Sequence, residues 1–109
     1  MKLNIYGKKK IIKTYEAESY DLMFGTVEDV MTMFNTDSLT TGSDVEIIKM
    51  VGTALPQCIN TVKPLLKDIF EGLTDDELKN TKMKEIILVL VEVIKHAFSQ
   101  MSIGIDPKN

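Results

Sequence analysis

Three groups of side chains in this 109-residue chain are of types that carry chemistry: the single histidine His96, the single cysteine Cys58, and the acidic run Asp75-Asp76-Glu77. An imidazole beside a thiolate makes a nucleophile–base pair, and clustered carboxylates make a cation site. None of the three has its partners at the spacing such chemistry needs. His96 falls on the polar arc of a helix expected over 82–101, which directs it away from the core and from Cys58. Cys58 follows the break expected at Pro56 and has no cationic group beside it in sequence, so it reads as a buried structural thiol. The three acids follow Thr74, where a first helical turn already uses them for capping and for the helix dipole. No calcium-loop pattern, Gly-rich phosphate loop, HExxH or GxSxG occurs. The sequence therefore predicts a non-catalytic protein with no cofactor and no metal.

Composition narrows the class further. One cysteine excludes an internal disulfide framework and a multi-cysteine zinc site. The net charge is −3, and all 13 basic residues are Lys, with no Arg. This argues against a nucleic-acid partner, because phosphate and base reading rely on a basic surplus and on Arg. A third reading, a small helix-turn-helix regulator, fails on the same two facts. No run approaches the ~18–20 apolar residues of a membrane span, and the first residues turn polar too soon for a signal peptide. The expectation is no membrane partner and a reducing cytoplasm.

The elements that would position these side chains follow from periodicity. Leu3 and Ile5 alternate with Lys2, Asn4 and Tyr6, and Ile11, Lys13 and Tyr15 alternate with Ile12, Thr14 and Glu16. This predicts two short strands joined by Gly7-Lys8-Lys9-Lys10, with Gly7 taking the positive φ of the turn. The lysines read as solvated edge charges. Ser19 is expected to cap a turn running to Phe24, Gly25 to stop it, and Thr26 to cap a helix over 27–34. In that helix Val27, Val30, Met31 and Phe34 form the apolar face. Residues 35–42 read as a loop.

The Ser43–Glu46 capping box opens a helix to Leu55, with Val45, Ile48, Val51 and Leu55 on its stripe. A break or kink is expected near Pro56, and a new helix over 62–71 buries Leu65, Leu66, Ile69 and Phe70 and ends at Gly72. Thr74–Glu77 is a second capping box, opening a turn to Asn80. Thr81 is expected to cap the last helix, 82–101. On a 100° wheel that helix places Met83, Ile86, Ile87, Leu90, Val91, Val93, Ile94, Ala97, Phe98 and Met101 in an arc of roughly 160°. Leu88 and Val89 fall in the polar arc. The fold class is mainly α (α+β): a short N-terminal β-hairpin followed by four to five helices, one domain over 1–101 and a flexible tail over 102–109.

What the pattern leaves over is apolar surface. Seven methionines are many for this length, and Met23, Met31 and Met33 lie close to Phe24 and Phe34. Flexible thioethers suit surfaces that accept several partner helices. With the wide arc of the last helix, this points to a protein that binds other chains. The candidate partner-binding residues, named from their predicted faces, are Met23, Phe24, Met31, Met33, Leu88 and Val91.

Two stretches carry a resemblance: Tyr20-Asp21-Leu22-Met23-Phe24-Gly25-Thr26-Val27-Glu28-Asp29-Val30, and Thr61-Val62-Lys63-Pro64-Leu65-Leu66-Lys67-Asp68-Ile69-Phe70-Glu71-Gly72-Leu73-Thr74-Asp75-Asp76-Glu77-Leu78-Lys79. With the opening Lys2-Leu3-Asn4-Ile5-Tyr6, the chain resembles, over roughly residues 1–101, the small tail assembly chaperones of long-tailed phages and prophages of Gram-positive bacteria. The match is one of overall pattern rather than of a catalytic signature. It implies a protein that coats the tape-measure protein in the host cytoplasm and keeps it soluble. It further implies self-association into a homo-oligomer, help in recruiting the tail tube protein, and absence from the mature virion. The alternative is a structural component kept in the tail or its connector.

Overall fold

The computed structural model describes residues 1–34 and 43–105, and the side chains of all of these except Tyr20 and 100–105. The loop expected over 35–42 and the last four residues of the expected tail lie outside them. The chain opens with strands β1 (Lys2–Gly7) and β2 (Lys10–Glu16), paired antiparallel. Leu3 and Ile5 are buried, as the alternation in β1 requires. In β2 the alternation fails. The register shifts between Ile5 and Tyr6, where Tyr6 pairs with Ile11 and Ile5 with Lys13, so Ile12 is an inserted bulge residue. The result is that both Ile11 and Ile12 are exposed, 54% and 67%. The turn also differs from expectation. Lys8 (φ 50°) and Lys9 (φ 74°) take the left-handed conformation, while Gly7 belongs to β1. A two-residue hairpin turn needs positive φ at both central positions to match the strand twist, and those positions are lysines here. Gly7 instead leaves room for the Ile12 side chain, which would lie 3.1 Å from a Cβ at that position.

A 3₁₀ turn (Ser19–Asp21) leads into helix α1 (Phe24–Met33). Gly25 does not stop this segment, and Thr26 does not cap it. The helix starts earlier, with Met23 at the N-cap. Gly25 is the second residue of the helix, outside the interior where glycine is costly, and nothing lies within 4 Å of where its Cβ would be. Val30 and Phe34 are buried, so the expected face is used, with Val27 and Met31 only half-buried.

Helix α2 (Asp44–Ile69) starts where its cap predicts: the Ser43 hydroxyl accepts the Glu46 N–H at 3.3 Å. The kink expected near Pro56 is present: two helical segments meet at one non-helical residue, Cys58 (φ −121°, ψ 21°), with Pro56 before it and Pro64 after it. Each proline removes one i→i−4 bond and pushes against the preceding turn. The distortion is taken up at Cys58, between them, whose thiol donates to the Ala54 carbonyl at 3.2 Å. The buried stripe is Ile47, Val51, Leu55, Val62, Leu65, Leu66 and Ile69. Val45 and Ile48, expected on it, are exposed, because the row that meets α4 starts at Ile47. Phe70 caps the helix and Gly72 (φ 92°) turns the chain, as expected.

Helix α3 (Asp75–Lys79) carries the reciprocal Thr74–Glu77 capping box. Thr81 does not cap the next helix. Its hydroxyl donates to the Leu78 carbonyl at 2.7 Å and closes α3 instead. Helix α4 (Met83–Ile105) continues four residues past the expected end at Met101. It is the axis of the molecule: α2, α1, β1 and the 3₁₀ turn all pack on it. Its buried set therefore wraps further round than one arc, and includes Val89 as well as Ile86, Leu90, Val91, Val93, Ile94 and Ala97. Each such buried aliphatic contributes about 1.5–3 kcal/mol from removal of its surface from water. Among the described residues no helix is long and apolar enough to cross a membrane.

Candidate functional site

The hairpin end and the α1 end of the molecule are built on different principles. At the hairpin end polar side chains converge. Tyr15 donates its hydroxyl to Glu77 Oε1 at 2.5 Å, with the Gly72 carbonyl at 3.1 Å. The same Oε1 accepts the Thr74 N–H at 3.1 Å, and Lys13 reaches Oε2 at 3.2 Å. The Tyr15 hydroxyl, the Thr74 amide and Lys13 together hold the Glu77 carboxyl down to about 2. Nearby, the Tyr6 hydroxyl donates to Glu85 Oε2, whose other oxygen accepts the Asn4 N–H at 3.1 Å. The hydrogen bond to the Glu85 carboxylate pushes the Tyr6 phenol up. These groups are all partnered within the protein. They bind strand to helix and leave no open position for a substrate, so the Asp75-Asp76-Glu77 run has the structural use its spacing predicts.

Cys58 and His96 do not form a pair. Burial pushes the Cys58 thiol up, the opposite of what a nucleophile needs. His96 is half-buried rather than solvent-facing, because α1 packs over its side of α4. It lines a groove instead of meeting a thiol or a carboxylate cluster. Among the described residues no three His, Cys, Asp or Glu side chains gather in a way that holds a metal ion.

That groove is the feature on which a function can be built. Leu22 ends the 3₁₀ turn, and Met23, in extended conformation (φ −70°, ψ 146°), starts α1 with no side-chain cap. The Met23 carbonyl accepts the N–H groups of Thr26 and Val27 at 3.1 and 3.2 Å. The corner so formed leaves Met23 and Phe24 outside the core, 76% and 79% exposed. Phe24, Leu22, Val27, Glu28 and Met31 form one wall and His96 and Ala97 the other, around a space of about 490 Å³. On the opposite flank of α1 a second hollow of about 630 Å³ opens toward α2, between Glu28, Asp29, Thr32 and Met33 on one side and Thr61, Pro64, Leu65 and Asp68 on the other. The groove is open and mostly apolar, with Phe24 the large exposed side chain in its wall.

The structure thus brings two of the six candidate binding residues, Phe24 and Met31, into one groove. Met23, though exposed, borders a separate hollow with Ala17, Asp21 and Ile69. Met33 is half-buried, packed on the core and bordering the second hollow. Leu88 is 49% exposed but lies on α4 outside the groove. Val91 is a correction: at 5% exposure it belongs to the core, because α4 has neighbours on more sides than its wheel predicts, and it presents no binding surface. Sequence reasoning missed His96 and Ala97 as groove walls. It also missed the exposed Ile11 and Ile12, which an unbroken alternation would have kept on opposite faces. No family model, curated protein or solved structure matches the chain.

Proposed function

We propose that this protein is a non-catalytic phage tail assembly chaperone that holds apolar helical segments of the tape-measure protein in solution during tail morphogenesis. The observation that carries the reading is the open groove walled by the exposed Phe24 and by Met31, with the neighbouring Met23 also exposed. The resemblance of residues 20–30 and 61–79 to that family supplies the identity of the client. A holdase must accept many similar segments and release each. Adaptable thioether and aromatic contacts do this better than a fixed set of polar contacts. Many copies on one rod gain by avidity, so each groove needs only weak affinity. The tail tube protein is the second expected partner, and the site of action is the host bacterial cytoplasm.

Co-expression with tape-measure fragments tests the reading. The soluble yield of the fragments is expected to rise with the intact protein and to fall back with Phe24→Ser and Met23→Ser together. Fragments no more soluble with the protein than without it would refute the reading.

A further inference from the structure

We propose that the seam between α1 and the C-terminal half of α2 is a docking site for a cationic amphipathic helix of another protein, one that carries Lys or Arg beside its apolar stripe. Two hollows open along this seam. The larger, of about 630 Å³, has Met33 on its α1 side and Pro64 and Leu65 on its α2 side. The smaller, of about 190 Å³, sets Met23 and Thr26 near Ile69. Asp68 lines both, so the two form one trough. Met23 shares its hollow with Ile69 and Met33 shares its own with Thr61, so α1 runs antiparallel to the last turns of α2. A furrow between two packed helices accepts a third through apolar anchors at i, i+3, i+4 and i+7. Met23, Met33 and Pro64 give those anchors accessible apolar surface to meet.

Charge identifies the occupant. Glu18, Asp21, Glu28, Asp29 and Asp68 all line the trough, and no Lys, Arg or His stands in its described walls. All five acids are exposed, and none makes an ion pair among the described residues. Lys67, next to Asp68 in sequence, is engaged by Asp75 instead. The bias is regional: residues 14–48 contain eight Asp and Glu and no Lys, whereas the first 13 residues hold five of the chain's 13 lysines. Helix capping does not account for it. Glu28 and Asp29 lie beyond the first turn of α1, and Asp68 sits in the last turn of α2, where the helix dipole disfavours a negative charge. A cationic side chain in the trough would offset both that dipole and the repulsion among the acids. A neutral or acidic helix would strip water from the same carboxylates with no charge to compensate. Opposite charge also steers and orients the encounter.

The trough lies on the opposite flank of α1 from the groove that Phe24 walls, and only Leu22 and Glu28 border both. It therefore adds a second contact to the proposed function without depending on it. The two flanks select by different properties of a partner helix: apolar bulk on the α4 side, positive charge on the α2 side.

Fluorescence anisotropy on the full chain tests it, with three labelled synthetic helices that share one leucine stripe and carry Lys, Gln or Glu on the flanking positions. The Lys helix is expected to bind at least about tenfold more tightly than the Gln helix, and the Glu helix not to bind. Raising salt through the range in which surface charges become screened should weaken the Lys helix alone. Asp29→Lys with Asp68→Lys is expected to cost at least about tenfold in affinity for it, and Asp29→Asn with Asp68→Asn, which keeps the shape, an intermediate loss. Glu71→Lys with Asp76→Lys makes the same change in net charge at exposed positions outside the trough, and should cost less than about threefold. Circular dichroism should show the fold retained in each variant, since every position changed is exposed. Equal binding of the three helices overturns the proposal, as does an equal loss in the trough and control variants. Sedimentation velocity on the protein alone is the last arm: a mass that falls only in Asp29→Lys with Asp68→Lys would make the occupant a second copy and overturn it too. Tape-measure solubility is read separately on Phe24→Ser, which leaves the trough intact, so the two ideas can fail independently.

Discussion

The hairpin–α3 end and the α1 end of this protein are held by different forces. At the first, a single carboxylate, Glu77, gathers a tyrosine hydroxyl, a backbone amide and a lysine, and a second, Glu85, ties β1 to α4. At the second, α1 begins without a side-chain cap and is anchored by apolar contact, with Val30 and Phe34 fully buried beneath it. Polar networks fix direction and distance, whereas apolar packing tolerates small shifts. The contrast places the adaptable surface at the end that is free to adapt.

The largest expected effect breaks the apolar end. Phe34→Ala should cost about 3–5 kcal/mol by urea unfolding, since it empties a fully buried site. Removing one hydroxyl from the polar end should cost less. Tyr15→Phe is expected to lose about 1.5–3 kcal/mol, the range for a hydrogen bond to a charged acceptor. Thr74→Ala should cost about 1 kcal/mol through loss of the cap. Acid sharpens the same comparison. Because folding holds the Glu77 carboxyl down to about 2, from an ordinary 4.5, its contribution is fully present above pH 4.5 and is lost as pH falls toward 2. Glu77→Gln should flatten that part of the stability–pH curve, measured as the thermal midpoint between those limits. The smallest effect falls at the groove rim: Phe24→Ser should change stability by no more than about 0.5 kcal/mol, as exposed positions do.

What the sequence made legible was mostly local. Thr74 and Glu77 announce their capping box by spacing alone, and Gly72 its left-handed turn, because both depend on residues within a few positions of each other. Tertiary context hid the rest. Pro56 announces the kink that falls at Cys58, but not that the stripe from Ile47 to Ile69 stays on one buried side across it. Val89 and Val91 look divided between polar and apolar arcs, but α4 is surrounded on several sides and buries both. Of the groove, Phe24 and Met31 were accessible to pattern. His96 was not, because its position depends on where α1 crosses α4, which no periodicity in either helix encodes.

The turn at the hairpin tip has a consequence of its own. Two lysines occupy positions that asparagine and glycine fill with less steric conflict, each at a cost on the order of 1 kcal/mol of backbone energy. No packing gain offsets this, since both side chains project into water. Changing Lys8-Lys9 to Asn-Gly would therefore make a sturdier hairpin that has lost the charges at its foremost point.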